Sequence, residues 1–184
     1  MMRFAAVMLA LFMQAPLAQA GSIPQSESSS ITCKAATLAR SGIGQSYVGD
    51  VQNSDYLLIA KIPDGFTAWD GVATGAPFHG FVIFLDQDEQ ACLIFDIHVR
   101  VDEDDRLAVP HNAQRLRLGH ARAWTVAKHG YAEGVKITKV ETSFTYTRSD
   151  QTEDGSVSLI SPSSDLDRTQ RIYKQFLNSL SIGN

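Results

Sequence analysis

Residues 78–101 constrain this chain more than any other stretch. Phe78 to Leu85 (FHGFVIFL) is a strand-like run, Asp86 to Gln90 is polar, and Ala91 to Val101 (ACLIFDIHVRV) is a second run. Two such runs joined by a polar turn predict an antiparallel hairpin. The second run alternates. Leu93, Phe95, Ile97, Val99 and Val101 fall on one face, and Ile94, Asp96, His98 and Arg100 fall on the other. Successive side chains of a strand point to opposite faces, so the first set is core and Cys92 belongs to the mixed face.

Further strands are expected around Tyr56–Ile62, ended by the turn residues Pro63-Asp64-Gly65, and near 115–127, 134–147 and 156–160. In the 134–147 stretch the apolar phase shifts between Ile137 and Val140, which predicts a bulge or a break. Ser149 to Gly155 reads as a turn. Two helices complete the pattern. A short one, capped by Ser29 or Ser30, carries Ile31, Ala35 and Leu38 and ends at Gly42. The C-terminal one, capped by Ser163 or Ser164, repeats Leu166, Tyr173, Phe176, Leu177 and Leu180 at helical spacing. The expected fold class is α+β: a single domain, mainly antiparallel sheet, with an N-terminal and a C-terminal helix packed on it.

The first twenty residues read as a signal peptide. Arg3 gives a positive start, Phe4 to Met13 are uncharged and apolar, and Ala18-Gln19-Ala20 is a small-x-small cleavage pattern. As a helix the apolar run spans only ~15 Å, about half of a hydrocarbon core. It is therefore a leader rather than a membrane anchor. The expected organisation is a signal peptide over 1–20, a flexible Ser/Pro-rich leader over 21–29, and one domain over 30–184. The expected location is periplasmic or secreted. Loss of Arg3 would take the formal charge from −4 to −5, which argues against nucleic acid as a partner.

Export places Cys33 and Cys92, the only cysteines, where a disulfide persists. The expected bridge staples the N-terminal segment to the central sheet.

The long connection from Ile62 to Gly80 holds Phe66, Trp69, Phe78 and His79 among glycines and prolines. An aromatic loop on a rigid sheet is a common recognition surface, although such aromatics also fold back to plug a core. Asp96 and His98, at i and i+2, are a second candidate, as a metal or acid–base pair or simply as the polar face of a strand. The acidic run Asp102 to Asp105 lacks the calcium-loop pattern. His111, His120 and His129 match no zinc spacing, and Gly44-Gln-Ser46-Tyr-Val-Gly49 is one residue too long for a nucleophile elbow. Arg115, Arg117 and Arg122 form a basic patch near Trp124 that could receive an acidic partner, but the favoured reading is that it merely balances the acidic loops through surface ion pairs of little energetic weight.

No cofactor motif is present in the sequence. The leading expectation is a non-enzymatic binding or accessory protein of the cell envelope, contacting a protein or small ligand through Phe66, Trp69, Phe78, His79, Asp96 and His98. The alternatives are a hydrolase or metal-dependent enzyme centred on Asp96, His98 and His79, and an inhibitor or immunity-type protein.

Overall fold

The computed structural model describes Cys33 and residues 45–69, 80–99 and 109–183. Within them the chain runs through β1 (Ser46–Tyr47), β2 (Asp50–Asn53), β3 (Leu58–Lys61), β4 (Ala68–Trp69), β5 (Gly80–Phe84) and β6 (Cys92–Val99). It continues through β7 (Gln114–Leu118), β8 (Ala121–Ala132), β9 (Val135–Arg148) and β10 (Gln151–Pro162). It closes with a 3-10 turn (Ser163–Asp165), α1 (Leu166–Ser179) and β11 (Ser181–Ile182). The expected N-terminal helix and leader lie outside the described residues.

β5 and β6 form the anticipated hairpin, with Phe81 opposite Phe95 and Phe84 opposite Cys92. They belong to an eight-stranded sheet ordered β1-β4-β5-β6-β10-β9-β8-β7, beside a three-stranded sheet ordered β11-β3-β2. All the strand pairs within both sheets are antiparallel. A parallel bridge from Gly119 to Ile182 ties the two together.

The core follows from strand alternation. Phe81, Ile83, Leu93, Phe95, Ile97, Phe144, Val157 and Leu159 of the large sheet pack with Leu58 and Ala60 of the small one and with Tyr173, Phe176 and Leu180. The ring centroids of Phe81 and Phe95 are 5.1 Å apart, and Phe81 meets Phe176 edge-on at 5.9 Å, both favoured aromatic geometries. α1 buries Thr169, Tyr173 and Phe176. The Tyr173 hydroxyl lies 2.6 Å from Thr142 Oγ1 and 3.1 Å from the Val157 carbonyl, so a polar atom under the helix stays satisfied.

A second, smaller cluster covers part of the opposite face. Cys33, Val82, Phe84, Cys92, Ile137 and Ile160 gather there, with Trp69 and Ile94 against them. A disulfide joins Cys33 to Cys92, as the cysteine count implied.

Three expectations need correcting. The phase shift at Ile137 is no bulge: β9 pairs with β10 in one unbroken register from Arg148 to Ile137. Val140 faces the main core and Ile137 the disulfide cluster, so both faces are apolar where both are covered. The turn read over Ser149–Gly155 shrinks to Ser149-Asp150, both with positive φ, as a two-residue hairpin turn matched to strand twist demands. Glu153 and Asp154 are consequently buried strand residues, and Glu153 accepts hydrogen bonds from Arg148 Nε at 3.3 Å and Nη2 at 3.1 Å.

Finally, neither serine caps α1. Ser163 instead bonds the Thr138 hydroxyl at 3.1 Å. Asp165 precedes the helix without a capping bond and is gripped by Arg168, which holds its carboxyl below the usual range. Arg168 also donates to the Leu85 carbonyl at 3.1 Å, tying the helix to the β5–β6 hairpin.

Gly155 sits where β10 passes Phe144 and β6. An added Cβ would fall 2.5 Å from the Asp96 carbonyl oxygen and closer still to the Phe144 ring. Gly155→Ala is therefore expected to cost about 1–3 kcal/mol through overpacking, read as a lower midpoint in urea unfolding. Replacing both cysteines with Ala reopens a loop with a sequence separation of 59 and should cost about 4 kcal/mol in the chain-entropy model. An unchanged thermal midpoint on reduction would contradict that stabilisation.

Candidate anion-binding cleft

β7 reads Gln-Arg-Leu-Arg-Leu, and alternation alone divides it. Leu118 is buried and Leu116 packs against the main core, while Arg115 and Arg117 are exposed. The chain then reverses through Gly119 at φ 61. An L residue there would be strained, and its Cβ would lie 2.8 Å from the Ile182 nitrogen. The reversal places Arg117 directly opposite Arg122 and Arg115 opposite Trp124. On the next strand Arg122 faces Thr145. Residues paired directly across antiparallel strands share a face. The three arginines and Trp124 therefore stand on one side of the sheet, facing away from the main core.

This corrects the sequence reading of 115–127 as a single strand. In a continuous strand Arg122 would point to the face opposite Arg115 and Arg117. The turn at 119–120 changes the parity and unites them.

The face opens onto a cleft of about 1100 Å³, lined among others by Arg115, Arg117, His120, Arg122, Trp124 and Thr145. Trp124 is only 6% exposed and also borders a recess of about 270 Å³ shared with Pro110, Lys128, Lys139 and Glu141.

The two ends of this face handle like charge differently. Lys128 and Lys139 are also directly opposed, but Glu141 binds Lys139 in an ion pair. Burial pushes the Glu141 carboxyl up, yet hydrogen bonding to Lys139 and the charges of Lys139 and Lys128 bring it net below the usual range. The Arg117–Arg122 pair has no such acid: among the described residues, no carboxylate lines the cleft or forms an ion pair with any of the three arginines. Like charges directly opposite destabilise a sheet pair, so an anion placed between these guanidiniums is stabilised by them. Guanidinium groups match carboxylate, phosphate and sulfate oxygens in a bidentate fork.

Of the leading sequence candidates, Phe66, Trp69 and Asp96 do not line this cleft. Phe66 is half-buried against the main core, whereas Trp69 is half-buried against the disulfide cluster on the other face. Phe66 and Trp69 are thus anchored apart. Asp96 pairs in register with Gly80 and Ser156 and is half-buried. The backbone of His98 pairs with Asp154. Phe78 and His79 lie outside the described residues. His129 Nδ1 lies 3.1 Å from the Thr138 hydroxyl. Among the described residues no three His, Cys, Asp or Glu side chains cluster, and no helix is long and apolar enough to cross a membrane.

No protein-family model matches the chain, and no curated protein matches it. Its fold is similar to the crystal structure of LpqN, described as involved in cell envelope biogenesis of Mycobacterium tuberculosis. The TM-score is 0.57 at 12% identity, over 81% of this chain and 96% of LpqN. A crystal structure from Bacteroides thetaiotaomicron gives a TM-score of 0.46 at 8% identity, over 77% of this chain and 49% of that one. The solution structure of cyanobacterial PsbP (CyanoP) from Synechocystis gives 0.36 at 13%, over 76% and 92%. At 12% identity the likeness to LpqN is one of fold.

Proposed function

We propose that this chain is a non-enzymatic binding or accessory protein of the cell envelope, which holds an anionic partner in the cleft over β7 and β8. The observation that carries the reading is the Arg117–Arg122 pair, opposed across the strands without the bridging carboxylate that serves Lys128 and Lys139. A sheet tolerates such repulsion where it is offset on binding, which is how functional sites trade stability for affinity. A location outside the cytoplasm is supported by the disulfide. The described role of LpqN in envelope biogenesis agrees with it. The continuous register places Trp69 and Asp96 on the arginine face, toward the far edge of the sheet. A long partner reaching across the sheet would contact them as well.

Replacing Arg115, Arg117 and Arg122 together with Gln should leave the fold intact and abolish salt-sensitive capture of a partner from envelope extract. The single change Arg117→Gln should raise the stability of the free protein by about 0.2–1 kcal/mol, because it removes a like-charge pair. A triple variant that captures the same partners with the same salt dependence would refute the cleft as the binding site.

A further inference from the structure

β7 is the last strand of the large sheet. Among the described residues nothing pairs with its outer side, and Gln114, Arg115 and Arg117 are exposed. A terminal strand turns alternate N–H and C=O groups outward and is a template for another strand. Proteins usually disable such edges with proline, a bulge or a covering segment. β7 contains no proline, pairs with β8 in unbroken register, and among the described residues carries its arginines as protection.

Those arginines choose what can pair. A second copy of this chain adding through its own β7 would bring arginines against arginines, which like-charge repulsion disfavours. A segment with carboxylates at alternate positions meets the opposite situation. Arg115 and Arg117 stand ~6.6 Å apart along one strand face, the same spacing as alternate residues of an added strand, with Arg122 one strand behind. The intervening Leu116 is half-buried on the other face, so the residues between the carboxylates should be apolar.

From this geometry we infer that the occupant of the cleft is an acidic, extended segment of a partner protein, alternating acidic and apolar residues, which adds to β7 as a further strand. The inference rests on the anion-binding reading above and narrows it: backbone hydrogen bonds along the edge contribute affinity, and the guanidiniums set the charge pattern.

The experiment uses the disulfide-bonded protein and a short peptide of alternating valine and glutamate. Binding is followed by calorimetry and by amide exchange. The valine–glutamate peptide should bind, and a valine–lysine peptide should not. Arg117→Gln should weaken binding roughly tenfold. Backbone N-methylation of the peptide should weaken it at least as much, and the outward amides of Gln114–Leu118 should exchange more slowly in the complex. If the N-methylated peptide or a sulfated glycan binds as tightly and leaves those amides unchanged, strand addition is wrong while the anion cleft stands. If Arg117→Gln alters no binding at all, both readings fall.

Discussion

Cross-strand register governs this molecule. From β6 through β10, β9 and β8 to β7, each pair advances residue against residue without a slip. Because side chains alternate with a period of two, that continuity assigns every residue of five strands to one face or the other. A slip of one residue in β9 would turn Phe144 out of the core and carry Thr145 into it. The stacking of Phe95 on Phe144, with centroids 6.2 Å apart, and the close passage of Gly155 against Phe144 oppose any such slip. The basic cleft is a consequence of the same register, since nothing else brings Arg122 beside Arg117.

The two faces then take different characters. The inner face is closed by α1 and the small sheet. The Tyr173 hydroxyl is bonded in place there by Thr142, whereas one carboxylate oxygen of the buried Glu153 is left without a hydrogen-bond partner among the described residues. Among the described residues, the outer face carries an apolar cluster where the Cys33–Cys92 bridge sits. Beyond that it becomes polar, then basic, toward the β7 edge. A sheet with one solvated face can carry such a gradient without disturbing its core, and this separates the basic cleft from the groups that hold the fold together.

Much of this organisation was legible in advance. The β5–β6 hairpin was readable because Leu93, Phe95 and Ile97 alternate over enough residues to exclude a helix. The C-terminal helix was readable because Tyr173, Phe176 and Leu180 recur at helical spacing. The short strands β1, β2, β4 and β11 were not, because each is a few residues whose extended conformation depends on a neighbour supplied from elsewhere in the chain. The cap of α1 was misassigned because Ser163 has a nearer partner in Thr138, remote in sequence.

By itself, the sequence determined the elements whose periodicity is local: a hairpin with one apolar face, a closing amphipathic helix, and two cysteines available to pair. Tertiary structure alone decided which charges meet. Arg115, Arg117 and Arg122 were visible as a patch, but whether they share a face hinges on the parity of the turn at Gly119-His120. That turn is held by the His120 N–H donating to the Ile182 carbonyl at 3.0 Å, a contact between residues far apart in the chain. No local pattern can encode it, since the partner strand arrives only after the helix has folded back across the sheet.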